Sequence, residues 1–130
     1  MKIIRGSLLE FLPASHEDPR QPGVLKKVLA TRDDLLSGQV QMVNWSEMPV
    51  GSEFQRHYHE DMQEVFVLIS GQAEMQVGDQ FAALTAGDAI LVEPREIHCM
   101  KNTGNQPVRY LVFGISTGAG GQTIVVPSAE

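Results

Sequence analysis

Polar and apolar residues alternate along most of this chain, in short stretches cut by glycine and proline. Side chains on a strand point to opposite faces in turn, so the pattern predicts half-buried strands. Gln39 to Met48 (QVQMVNWSEM) alternates throughout and reads as one strand. Glu64 opens Val65-Phe66-Val67-Leu68-Ile69, a β-branched and aromatic run that predicts another, ending at Ser70. Gly71 allows a tight reversal into Gln72–Val77, and Gly78-Asp79 is a hairpin-type turn into Gln80–Leu84. Ala89–Val92, Ile97–Lys101 and Val108–Ile115 are further strands, and Gln55–His59 is a short extended segment after a turn at Pro49–Ser52.

The pattern is less decisive near the ends. Val24–Leu36 fits a helical face as well as a strand; its sheet-like surroundings favour a strand over Val24–Ala30, then a loop over Arg32–Gly38 that could hold one helical turn. Residues 1–12 alternate weakly and could add an edge strand. Pro13–Gly23 (PASHEDPRQPG) reads as a polar surface arm, with His16 a solvated histidine. Gly118, Gly120 and Gly121 form a flexible link before Thr123–Val126, which could pair with an edge. About ten short strands at hairpin spacing predict an all-β sandwich or barrel.

Composition narrows the class. The 130 residues suffice for one domain with a core, divided as a strand and arm over 1–23, a barrel core over 24–115 and a tail over 116–130. Net charge is −6, which argues against a nucleic-acid surface. One cysteine allows no intrachain disulfide and fits a reducing compartment. No apolar run approaches the roughly 18 residues of a membrane helix. Arg5 and Glu10 interrupt any signal-peptide core, so a cytoplasmic location is expected.

The chemistry concentrates in GSEFQRHYHEDMQEVFVLISG, Gly51 to Gly71. His57 and His59 are two apart and share one face of an extended segment. A hairpin after them would bring Glu64 back beside both imidazoles. Two neutral nitrogens and a carboxylate oxygen on one wall suit a divalent transition metal.

This stretch resembles the first motif of the cupin superfamily, here Gly51-x5-His57-x-His59-x4-Glu64-x6-Gly71. The second motif is matched by Gly87-x10-His98-x3-Asn102. One departure stands out. The family's usual proline and then glycine ahead of the histidine are replaced by Glu93-Pro94-Arg95-Glu96, which puts the shape of that turn in question. The resemblance implies a double-stranded β-helix, or jelly-roll barrel, of short antiparallel strands. It also implies one metal ion held inside by His57, His59, Glu64 and His98. Such a ligand set suits octahedral Fe²⁺, Mn²⁺, Ni²⁺ or Co²⁺ with about two positions open, or Zn²⁺ with fewer.

Parity predicts the lining around that ion. Gln55 shares the face of His57 and His59, Phe66 and Leu68 share that of Glu64, and Met100 and Asn102 follow His98. Gln55, Phe66, Met100 and Asn102 are therefore candidate pocket residues, while Cys99 points away as a small buried hydrophobe. Met42 and Trp45 differ in parity, so at most one of them faces in unless the strand is bulged. Arg95 and Arg109 read as exposed charges.

Three functions fit. The first is a metalloenzyme of the oxygenase type, a dioxygenase acting on a small molecule. The second is an isomerase, epimerase or decarboxylase using the ion as a Lewis acid; no inward Lys, Tyr or further His is evident as its base, which weakens it. The third is a non-catalytic small-molecule binding or sensing module. A homodimer is expected, because a small jelly roll leaves strand edges that the N-terminal arm and Thr123–Val126 of a partner could cover.

Overall fold

The structure, a computed structural model, describes residues 2–36, 39–116, 118 and 122–127. The described residues form eleven strands and two short 3-10 turns, at Gly6–Leu8 and Arg32–Asp34. The strands are β1 (Leu12–Pro13), β2 (Leu25–Thr31), β3 (Val40–Met48), β4 (His57–His59), β5 (Met62–Ser70) and β6 (Gln72–Val77). There follow β7 (Gln80–Thr85), β8 (Ala89–Val92), β9 (His98–Asn102), β10 (Val108–Ser116) and β11 (Thr123–Val125). Of the expected Arg32–Gly38 loop, Ser37 and Gly38 lie outside the described residues, as do Gly120 and Gly121 of the expected link.

All pairings are antiparallel, in two sheets ordered β1-β2-β3-β10-β5-β8 and β11-β4-β9-β6-β7. The architecture is a jelly-roll sandwich rather than a closed barrel. Gly78-Asp79 closes the β6–β7 hairpin, as its sequence predicts. The chain turns differently at Gly71. Strands β5 and β6 belong to opposite sheets, so Gly71 is a corner between layers and not a hairpin reversal. It sits at φ 90°, and a Cβ there would lie 2.9 Å from the Pro107 carbonyl oxygen, so only glycine fits.

Burial alternates along β5, with Met62, Glu64, Phe66 and Leu68 inward, because one face of the strand meets the other sheet. Strand β9 is buried on both faces at His98, Cys99 and Met100, since the Phe54 segment covers its outer side and accepts the Cys99 thiol. The sandwich is solid at one end. Met48, Phe54, Leu68, Met75, Met100 and Val108 are fully buried there, and each such side chain contributes about 1.5–3 kcal/mol by leaving water. At the other end the same strands are hollow: β3 turns Met42, Asn44 and Ser46 inward, β5 Met62, Glu64 and Phe66, and β10 Tyr110 and Val112, around a cavity of about 360 Å³. Trp45, on the opposite parity from Met42, faces an outer groove with Lys27 and Leu29.

The arm over Pro13–Gly23 is a loop, but it is not free of the body. Glu17 is buried in it, accepting the backbone N–H groups of Gly23 (2.7 Å) and Gln55 (2.8 Å) and contacting His16 Nδ1 at 2.7 Å. Gly23 returns the chain so closely that a Cβ would overlap the Glu53 carbonyl oxygen. Segments near the two ends pair with edges of their own chain, β1 with β2 and β11 with β4.

Candidate metal centre

Three histidines come from one sheet and the carboxylate from the other. His57 and His59 alternate on β4, so both point inward. His98 on β9 pairs directly with His57. Glu64 reaches them from β5 across the interior. The expected β4–β5 hairpin does not form, because the two strands lie in different sheets, yet the approach is achieved through the sandwich. One ligand atom from each of the four buried residues lies within 4.8 Å of all the others.

The rings are oriented by what lies behind them. His57 Nδ1 is 2.7 Å from the Gln55 carbonyl oxygen and His98 Nδ1 is 2.9 Å from that of Glu96. A carbonyl only accepts, so both Nδ1 atoms donate and each neutral ring turns a bare Nε2 lone pair inward. His59 Nδ1 meets the Thr123 hydroxyl at 3.1 Å. Such outer partners set the tautomer and rotation of metal-binding imidazoles.

Glu64 Oε1 lies 2.9 Å from His59 Nε2 and 3.0 Å from His98 Nε2. A carboxylate oxygen facing an imidazole lone pair is repulsive unless a cation sits between them. A proton would serve one such contact; a divalent ion would serve all four groups together. Burial alone would raise the Glu64 carboxyl; hydrogen bonds from His59 and His98 rings protonated at Nε2 outweigh that and hold it below the ordinary carboxylate range, and a divalent ion would do the same between neutral rings. Burial first, and then the His16 and His98 rings, push His57 down to about 2, so its imidazole is neutral, the form that ligates. The residues present therefore fit a divalent ion.

The cupin domain profile matches residues 44–114, more than half of the chain and including all four of these residues. The chain belongs to the cupin family. It is 25% identical over 111 residues to an uncharacterized protein of Methanocaldococcus jannaschii, covering 85% of each. A predicted oxalate decarboxylase from Thermotoga maritima has a similar structure, with a TM-score of 0.78 at 22% identity over 88% of this chain and 99% of that one. A cupin-superfamily sugar phosphate isomerase from Silicibacter pomeroyi gives 0.72 at 20% identity, over 89% and 76%. At these identities the two structures share this cupin's fold.

At the departure in the second cupin motif, an arginine takes a backbone conformation that suits glycine. Arg95 stands at φ 69°, in the left-handed region, and its N–H donates to the His59 carbonyl at 2.7 Å. The turn is thus made by a strained arginine and ties β4 to the approach to β9. Arg95 and Arg109 pair at the surface with Glu60 (3.6 Å) and Glu47 (3.4 Å).

The candidate pocket residues separate. Phe66 lines the cavity, its ring 5.9 Å from that of His98 and 5.7 Å from that of Tyr110. Gln55 is exposed, because β4 begins only at His57 and parity does not extend back past it; its contribution is its carbonyl. Met100 packs into the solid core opposite Met75. Asn102 is buried but ties loops together, donating to the Met48, Pro49 and Gln106 carbonyls and accepting from the Gly104 N–H. Burial raises the Cys99 thiol to about 11, so it is an inert packing residue.

Sequence reasoning missed the rest of the lining. His16 is not solvated: it lines the cavity and stacks on His57 with ring centroids 4.0 Å apart. Lys26, Asn44, Ser46 and Tyr110 line it too. Tyr110 bonds Ser46, and burial keeps its hydroxyl protonated well above the ordinary range. The absence of an inward Lys, Tyr or further His is therefore corrected on all three counts. Asn44 and Ser46 were legible as the inward parity shared with Met42; Lys26 and Tyr110 needed the strand partners.

Proposed function

We propose that this cupin is a metal-dependent enzyme acting on a small organic molecule, with chemistry of the isomerase, epimerase or decarboxylase kind. The observation that carries the reading is that four ligand atoms converge beside a cavity that His59 and Glu64 line, together with neutral-hydroxyl and cationic side chains. A divalent ion bound by His57, His59, Glu64 and His98 would polarise a carbonyl or carboxylate oxygen. Tyr110, held by Ser46, offers a fixed hydrogen-bond donor to a substrate oxygen. Phe66 and Val112 supply apolar walls that exclude water. The likenesses to a predicted oxalate decarboxylase and a sugar phosphate isomerase support this direction.

An oxygenase is the second reading, favoured by the three-histidine, one-carboxylate ligand set with coordination positions to spare. The two separate in one experiment. Metal content is determined on protein purified without chelator or polyhistidine tag, and turnover of small hydroxy-, keto- and dicarboxylic acids is followed with and without oxygen. Turnover under strict anaerobiosis supports the Lewis-acid reading. Oxygen-dependent turnover replaces it with the oxygenase. Absence of bound metal defeats both, and a small molecule recovered unchanged from the cavity supports a binding module.

The reading includes a homodimer. Its support is the exposed Phe81 on β7 and Leu91 on β8, neighbours on strands that each end a sheet. A sedimentation mass near 14.3 kDa would contradict it. Among the described residues no helix is long and apolar enough to cross a membrane.

A further inference from the structure

The cavity holds two polar groups that neither the metal centre nor the core explains. Lys26, on β2, lines the cavity and is half-buried. Its ammonium donates to the Ser15 hydroxyl at 2.8 Å and pairs with no carboxylate among the described residues. An ammonium carries three donors, so two are left to water or to a ligand at the cavity mouth. Burial lowers its pKa, the signature of a cation partly stripped of water with no counterion to compensate. Asn44, on the adjacent strand β3, also lines the cavity and is 5% exposed, and its Oδ1 is buried with no hydrogen-bond partner among the described residues. A buried unpaired carbonyl is destabilising, and native structures rarely carry one without a use. The two side chains sit on paired strands, Lys26 opposite Ser46 and Val28 opposite Asn44, so they lie on one wall. Glu64 enters from β5, two strands from β3 in the same sheet.

We propose that this wall is the subsite for an anionic oxygen group of the substrate, held by Lys26 and Ser15, and that a donor group on the same molecule meets the Asn44 Oδ1. The inference rests on the enzymatic reading for its substrate but not for its binding chemistry. It names the substrate class: a small acid whose anionic end lies at Lys26, whose hydroxyl or amine lies at Asn44, and whose other end reaches His59 and Glu64. A cavity of about 360 Å³ is at the small end of ligand sites, so the acid has few carbons. Two bulkier polar neighbours, His16 and Gln41, also line it and limit the length further. The anionic group is a carboxylate or a phosphate, since both offer several acceptor oxygens to one ammonium.

The test is calorimetric titration of metal-loaded and metal-free protein with malonate, inorganic phosphate and neutral malonamide. Wild type should bind at least one of the anions, and malonamide about tenfold or more weaker than malonate. Lys26→Met should weaken the bound anion about tenfold or more while metal content and malonamide binding stay as in wild type. Lys26→Arg should restore anion binding to within about threefold, since charge and donors are kept. Phosphate binding without malonate binding assigns a phosphate; the converse assigns a carboxylate. The proposal is overturned if neither anion binds wild type, if Lys26→Met binds the bound anion as tightly as wild type, or if malonate binds and malonamide binds as tightly. Lys26-dependent anion binding in a protein that holds no metal or turns nothing over would uphold the subsite and remove the enzymatic reading.

Discussion

His16 stacks face to face on His57, ring centroids 4.0 Å apart and planes 17° from parallel. A residue of the proline-rich arm thus packs against a candidate metal ligand. The arm reaches it because Glu17, the next residue, is sunk into the body and holds both the Gly23 and the Gln55 backbone N–H groups. Gln55 in turn supplies the carbonyl that orients His57. The outer support of the centre therefore runs through a segment far from either motif.

Glu17→Gln should loosen that support. The amide keeps the shape but not the charge, and hydrogen bonds to an ionised group are worth about 1.5–3 kcal/mol. Thermal unfolding should show a loss of that order, with metal retention affected far less than in His57→Ala. A variant as stable as wild type would show that the arm does not brace the centre.

The same carboxylate predicts a pH dependence. Burial pushes Glu17 up, but hydrogen bonds from His16, Gln55 and Gly23 outweigh it and leave its pKa below the ordinary value. A group depressed in the folded state stabilises fully above its unfolded pKa, about 4.3, and the benefit is lost as pH falls through the lower folded value. Melting curves of metal-free protein between pH 6 and pH 3 should therefore fall more steeply for wild type than for Glu17→Gln. Parallel curves would contradict the assignment.

His57→Ala removes one of four candidate ligands and should lower metal affinity by more than the 10–100-fold typical of losing an outer partner. The sheet signal in circular dichroism should remain, because the apolar strands at the solid end carry most of the stability. Metal retained at wild-type stoichiometry and affinity would exclude His57 as a ligand.

Arg95→Gly should stabilise. Left-handed backbone costs a non-glycine residue roughly 1–2 kcal/mol, and glycine's added unfolded-state entropy returns about half of that. The exposed ion pair with Glu60, which glycine cannot make, is worth little. A net gain of roughly 0.5–1 kcal/mol is expected in denaturant titration. A destabilised variant would mean that the arginine side chain, not the backbone, holds the turn.

Asn44→Leu should raise the melting temperature while weakening any bound small acid. Removing a buried unpaired carbonyl relieves about 1 kcal/mol or more. A lower melting temperature would show that Asn44 serves the fold and not a ligand.

Local pattern was enough for most strands and for placing His57 and His59 on one face; His98 entered the candidate site through the resemblance to the second cupin motif. Alternation along Met62–Ser70 and the two-residue spacing of His57 and His59 are properties of consecutive residues, and extended backbone converts them directly into faces. Where backbone left the strand, parity failed: Gln55 precedes β4 and turns outward, whereas Asn102, inside β9, is buried as parity predicts but ties loops instead of lining the cavity. Which sheet each strand joins was not local at all. His57, His59 and His98 share one layer and Glu64 lies in the other because the chain crosses between layers at residues 60–61, which no periodicity records. The lining of the cavity belongs to the same class of fact. Lys26, Asn44 and Tyr110 are far apart in sequence, and each reads alone as an ordinary strand residue. Only the pairing of β2 with β3, and of β3 with β10, sets them around one hollow, because contacts between strands depend on register, and register is decided by the whole packed sandwich.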